Sequence, residues 1–129
     1  MRLETIMTTP VETVSPRASI RTAQRILKSK GIHHLVVLDH ATILGLVTAD
    51  TLKDREAAGA TLVADAMIRN ITMLSPTMTV RQAVDLMIRH DQSAVPILRN
   101  HELIGIVTIS DLLDLAGTLG DREGVLVVK

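Results

Sequence analysis

The chain of 129 residues contains no cysteine, phenylalanine, tyrosine or tryptophan. Without thiols there is no disulfide framework, no thiolate nucleophile and no cysteine metal ligand, and an intracellular, reducing compartment is the expected setting. Without aromatic rings the core must be built from aliphatic side chains and Met, and the platforms on which single-stranded nucleic acids stack are missing. No stretch approaches the ~20 apolar residues a membrane helix needs. The opening Met1 to Pro10 carries Arg2 and Glu4 in place of the apolar run of a secretory signal, so the expected location is cytoplasmic. Neither sign of charge dominates, because fourteen basic residues offset fourteen acidic ones. Bulk charge therefore predicts no attraction to nucleic acid or anionic lipid.

What the chain does have is repetition. Displaced by sixty positions, Met7 falls on Met67, Ser15-Pro16 on Ser75-Pro76, Arg21 on Arg81 and Ala23 on Ala83. Further along, Leu38 meets Leu98, Gly45 meets Gly105, Val47-Thr48 meets Val107-Thr108 and Leu52 meets Leu112. Two copies of one supersecondary unit are expected, residues 1–60 and 61–117, followed by a tail over 118–129. Each half alone is marginal in size, whereas together they can bury most of a composition that is 47% hydrophobic. One globular module with approximate twofold symmetry and paired clefts is the expected result.

Period and punctuation order the elements. Val11 to Val14 and Ile71 to Leu74 read as short extended segments, each stopped by Ser-Pro. Thr79 and Gln82 form a candidate capping box ahead of Val80, Ala83, Val84 and Met87, which share one helical face. In the first copy Ser19 is the candidate cap, Ile20, Ala23 and Leu27 form a thinner stripe, and Gly31 stands where a left-handed stop is wanted. Asp91 is a poorer stop in the second copy. His34 to Leu38 and Ile43 to Val47 read as buried strands, echoed by Val95 to Leu98 and Leu103 to Val107. Further helices open after Thr48 and Thr108. The unit is β-α-β-β-α in a mixed α/β (α+β) fold. Lys53 to Thr61 suits a helix end and connector, and Val125 to Val128 reads either as an edge strand or as a frayed terminus.

The chemistry concentrates where the last strand of each copy runs into a helix. In Gly105 to Leu112, Thr108 and Ser110 offer hydroxyls beside the unpaired N–H groups of a helix start, an arrangement that favours phosphate. Asp111, acceptor-only when ionised, suits the two hydroxyls of a ribose. The competing structural reading is that Thr108 or Ser110 caps the helix and Asp111 favours its positive end.

These segments, together with Ile6 to Pro10, Val14-Ser15-Pro16 and Gly31 to Asp39, resemble the signature of the CBS domain, and the tandem copies resemble the CBS pair called a Bateman module. The resemblance covers about Leu3 to Ala116. It implies a regulatory binding module, not an enzyme, with AMP, ADP, ATP or S-adenosylmethionine as regulatory ligand and no obligatory cofactor. It also implies a shared site in which Thr108, Ser110 and Asp111 hold phosphate and ribose opposite Val11, Glu12, Ile32, His33 and His34 of the other repeat. Val11 and Ile32 would flank the base, backbone groups near Glu12 would read its edge, and the histidines would lie toward the phosphates. Their attraction for phosphate strengthens on protonation near pH 6 to 7, so binding is expected to weaken as pH rises. A homodimer through the helices and a separate effector protein are further implications.

The mirror-image site is expected to be weak or empty. Thr48 and Thr51 stand there, with the carboxylate one place early at Asp50 and turned by ~100° on a helix. Its facing wall would be Ile71, Thr72, Gln92, Ser93 and Ala94. Elsewhere, Arg17, Arg21, Arg25, Lys28 and Lys30 form a basic stripe that is either a solvated face or a contact for RNA, polyphosphate or an acidic partner. The readings outside ligand sensing are thus a structural dimerisation module with vestigial clefts and an RNA-binding module on this stripe. Metal chelation has little support, because the histidines lack metal-ligand spacing on a helix and His33-His34 would point to opposite faces of a strand.

Overall fold

The computed structural model describes the backbone of residues 1–123 and the side chains of residues 1–117. In chain order the elements are α1 (Leu3–Ile6), β1 (Thr13–Val14), α2 (Ile20–Lys30), β2 (His34–Asp39), β3 (Thr42–Thr48), α3 (Ala49–Ala57), a 3-10 turn (Val63–Asp65), α4 (Val80–Arg89), β4 (Ala94–Arg99), β5 (Glu102–Thr108) and α5 (Ile109–Glu123). The fold is mixed α+β, as the two periodicities predict. It divides into two compact units, Val11–Ile71 and a second that joins Met1–Pro10 to the chain from Thr72 onward. Compact units and sequence period are therefore offset by about ten residues.

Backbone hydrogen bonds account for the offset. Leu3 and Glu4 donate to the carbonyls of Met78 and Pro76, and Val80 donates to Met1. Sixty residues on, Val63 and Ala64 donate to Ala18 and Pro16, and Ile20 donates to Thr61. A second clasp follows in each unit, where Thr8 exchanges both backbone bonds with Ile106, and Ile68 does so with Leu46. The clasps explain the isolated glycines. A Cβ on Gly45 would collide with the Ile68 carbonyl, and one on Gly105 with the Met7 side chain.

In the Val11–Ile71 unit β1 pairs in parallel with β2, which pairs antiparallel with β3. Helix α2 starts where the Ser19 side chain accepts from the Thr22 N–H and stops at Gly31, whose φ of 64° is the left-handed conformation glycine adopts without steric cost. Ile20, Ala23 and Leu27 face a core completed by Leu35, Val37, Val47, Leu52 and Val63. Each buried Val, Leu or Ile side chain among them contributes on the order of 1.5–3 kcal/mol of burial.

The other unit repeats this core with Val80, Ala83, Met87, Val95, Ile97, Val107, Leu112 and Leu3. Thr79 and Gln82 form the expected reciprocal capping box of α4, and the chain leaves that helix through Asp91 in a left-handed conformation with φ 49°. Two expectations fail here. Ile71 to Leu74 is not a strand but a single bridge from Leu74 to Ile97, so this sheet keeps only β4 and β5. The cause is Pro96: Val36 donates its N–H to Glu12 in the first repeat, whereas Pro96, sixty residues on, has no N–H to give. The Gln92 carboxamide stands in, accepting from the Thr72 N–H and donating to the carbonyls of Thr72 and Ala94, all at 2.8 Å. The second failure concerns the segment after Asp114, where α5 runs through Gly117 and Gly120 to Glu123 in place of a tail beginning at 118. The expected strand at Val125 to Val128 lies outside the described residues.

Candidate functional site

The start of α5 brings Thr108 and Asp111 together. The Asp111 N–H donates to Thr108 Oγ1 at 3.2 Å, while Asp111 Oδ2 accepts from the Thr108 N–H at 2.9 Å and from Thr108 Oγ1 at 3.2 Å. This is a capping box with the shorter Asp in place of the usual Glu or Gln. The remaining oxygen, Oδ1, accepts from Thr8 Oγ1 at 2.9 Å. The capping role offered by the sequence is therefore real, and Thr8 is a partner that sequence reasoning missed. Its signal lay in the clasp, since the bridge from Thr8 to Ile106 carries the hydroxyl to the end of β5. Ser110 lies beside this cap and is exposed.

The remaining main-site candidates belong to the Val11–Ile71 unit. Val11, Glu12 and Ile32 are half-buried. The Glu12 carboxylate is 3.7 Å from Lys30 Nζ, and its backbone carbonyl accepts from the Val36 N–H. His34 opens β2 opposite Thr48 and is half-buried, while His33 is exposed. Burial pushes the His34 imidazole below its ordinary pKa, and the neighbouring His33 adds to the shift. Protonation of His34, and any gain in phosphate attraction that comes with it, is thus shifted to lower pH than for an ordinary imidazole.

The candidates for the weaker site show why it differs. Thr48 and Thr51 form their own reciprocal cap, in which Thr51 Oγ1 accepts from the Thr48 N–H at 2.9 Å and Thr48 Oγ1 accepts from the Thr51 N–H at 3.1 Å. Thr51 does the capping work of Asp111 without a charge, and Asp50 is exposed one position away. In the other unit, Gln92 has its whole carboxamide committed to Thr72 and Ala94. Ser93, next in the chain, is half-buried, as is Ile71, the last residue of the Val11–Ile71 unit.

Each unit also carries a groove between its two long helices. In the first, about 440 Å³ is lined by Gln24, Leu27, Lys28, Gly31, Ile32, His33, Ala49 and Lys53. In the second, about 300 Å³ is lined by Val84, Met87, Ile88, Asp91, Gln92, Ser93, Ile109, Leu112 and Leu113. All eight positions lining the first recur sixty residues on in the second, which adds Leu112. The basic stripe also divides on inspection. Arg17 binds Asp39 at 2.9 Å, holding that carboxyl below its usual range. Arg21 approaches Glu56 at 4.0 Å and Lys30 approaches Glu12. Arg25 and Lys28 form no ion pair among the described residues. Among the described residues no helix is long and apolar enough to cross a membrane, and no group of three or more His, Asp or Glu is placed to hold a metal.

Comparison with known proteins matches this arrangement to one family. The family model for the CBS domain fits residues 3–57 and again 63–117. The CBS domain-containing protein YhcV of Bacillus subtilis is 31% identical over 110 residues, covering 82% of this chain and 79% of that protein. An inosine-5'-monophosphate dehydrogenase of Korarchaeum cryptofilum is 32% identical over 112 residues, but the match spans only 23% of the enzyme and 86% of this chain. Among solved structures, the CBS domain pair of protein MJ0100, in complex with 5'-methylthioadenosine and S-adenosyl-L-methionine, superposes with a TM-score of 0.86 at 26% identity, covering 92% of this chain and 97% of that one. CBS pairs are regulatory ligand-binding modules. With both repeats matched in register and the whole architecture shared, this chain belongs to the CBS-domain family as a tandem pair.

Proposed function

We propose that the chain is a regulatory sensor of an adenosine-containing compound, with AMP, ADP or ATP first and S-adenosylmethionine next. Thr108, Ser110 and Asp111 hold the phosphate and ribose end, Val11 and Ile32 contribute aliphatic surface to the base, the Glu12 backbone reads its edge, and His33 and His34 contribute toward the phosphates. The observation that carries this reading is Asp111. Its carboxylate is fixed by three hydrogen bonds, from Thr8 and twice from Thr108. A carboxylate offers about four acceptor sites, so one remains for a ribose hydroxyl on a group that needs no reordering. Ligand binding in the MJ0100 pair supports the same ligand class. Thr48, Asp50, Thr51, Ile71, Thr72, Gln92 and Ala94 form at best a weaker second site.

Occupancy acts by linkage: a ligand that prefers one packing of the module shifts the population toward it, and a separate cytoplasmic effector protein reads the shift. The module works as a homodimer, without membrane or nucleic acid. The rival reading, a structural dimerisation module, draws support from the same carboxylate, which already has structural work at the α5 cap. Titration calorimetry of AMP, ADP, ATP and S-adenosylmethionine separates them. We expect at least one to bind and Asp111→Ala to weaken it more than tenfold. No binding by any of the four leaves the structural reading. Because the chain lacks Trp and Tyr, an absorbance peak near 260 nm in the purified protein directly reports co-purified nucleotide.

A further inference from the structure

Resting on the adenosine reading above, we propose that Gln92 closes the second site from within, its carboxamide filling the backbone edge of Thr72 that an adenine base would need. Thr72 stands sixty residues after Glu12, the residue whose backbone is proposed above to read the base edge. The two positions differ in what meets that backbone. In the first repeat the Glu12 carbonyl accepts from the Val36 N–H, and Ile32, at the position of Gln92, has no side-chain group able to bond Glu12. In the second repeat Pro96 has no N–H to give, and the Gln92 side chain takes over. Its Oε1 accepts from the Thr72 N–H and its Nε2 donates to the carbonyls of Thr72 and Ala94, all at 2.8 Å. The backbones carrying the two side chains are held alike, since the N–H groups of Ile32 and Gln92 donate to the carbonyls of Leu27 and Met87 at 3.1 and 2.9 Å. The difference therefore resides in the side chain.

This lock has the bonding pattern of a bound base. A planar carboxamide presents an acceptor beside a donor, and so does adenine, with N1 as acceptor and its 6-amino group as donor. Either can close a two-bond ring on the N–H and C=O of one residue. Both cannot do so at once, because a backbone N–H has one hydrogen to give. The carboxamide is tethered beside its partner, which gives it the advantage of a high effective concentration over a free nucleotide. A base that enters must break both Thr72 bonds and receives two like them in return, so the edge adds nothing net to its affinity. The second repeat thus keeps the backbone that reads a base and supplies the reader with its own occupant.

Calorimetric titration of AMP into the native full chain and into Gln92→Ala tests the lock. The native chain is expected to take up one equivalent and the variant two, the added site being at least tenfold tighter than any second phase of the native titration. Purine riboside, which lacks the 6-amino donor, is expected to bind the added site at least tenfold more weakly than adenosine, and equal affinity overturns the pairing with Thr72. Gln92→Ile, which copies the first repeat, should gain the same site and decides the matter if the alanine variant does not fold, as thermal melts will show. A Gln92 that only fastens Thr72 to β4 would lower the melting temperature on substitution and add no binding. One equivalent in native and variant chains alike therefore overturns the lock and leaves the main-site reading standing, and two equivalents in the native chain overturn the lock as well. One equivalent in the variants alone upholds the lock and overturns the main site. No binding to any of the chains overturns both.

Discussion

At the starts of α3 and α5 the same reciprocal cap is built twice, once from two threonines and once from a threonine and a carboxylate. Thr51 and Asp111 fill the same place in the cap geometry, and the Asp111 carboxylate also favours the positive end of its helix. Only Asp111 adds charge, and only Asp111 is tied to a third side chain, Thr8. The same backbone cap thus recurs in both repeats while the side chains that build it differ in their last atoms. The helix grooves and the glycine clasps make the same point, each conserving a shape while exchanging its neighbours.

The largest effect is expected at the clasps. Gly45→Ala drives a methyl into the backbone carbonyl of Ile68, whereas Gly105→Ala meets the Met7 side chain, which can move. Overpacking of this kind costs roughly 1–3 kcal/mol. Gly45→Ala should fall at the upper end and Gly105→Ala at the lower when both are unfolded in urea. Equal losses would mean that the two clasps are mechanically alike.

Next come the caps. Thr51→Ala and Asp111→Ala should each lose about 1 kcal/mol of stability, the usual cost of a missing cap. Only the second should also lower ligand affinity. Loss of affinity in Thr51→Ala as well would erase the distinction between the repeats at this position. The smallest effect concerns His34, which has no imidazole counterpart because Ala94 occupies the equivalent position. Its folded pKa is depressed by burial, so the unfolded chain binds the proton more readily. Stability is complete above the unfolded value of about 6.5 and declines as pH falls from there toward the depressed folded value. Thermal melts from pH 7.5 to 5 should show this decline in the native chain and less of it in His34→Gln.

Much of the fold was legible in local signals. Ser19, Gly31 and the Thr79-Gln82 box act over three or four residues, and the structure uses each as predicted. The strand pairs followed from apolar runs, and the loss of the edge strand at Ile71 to Leu74 could have been read from Pro96 opposite Val36. What escaped depends on contacts far apart in sequence. Nothing near Leu3 announces that its amide will bond to Met78, and nothing near Asp111 announces Thr8. The isolated Gly45 and Gly105 were the trace of those crossings, visible as residues but not as a reason. In the basic stripe, Asp39, Glu12 and Glu56 neutralise part of a run that contains no acid of its own. A count of local charge overestimates such a face.

The clasp between Thr8 and Ile106 also bears on synthesis. A ribosome adding about 5–20 residues per second delivers the amino-terminal segment well before β5 exists to receive it. The nascent Val11–Ile71 unit can close on its own strands, but Leu3 must wait for Met78 and Thr8 for β5, so the segment ahead of that unit is the last to find its partners.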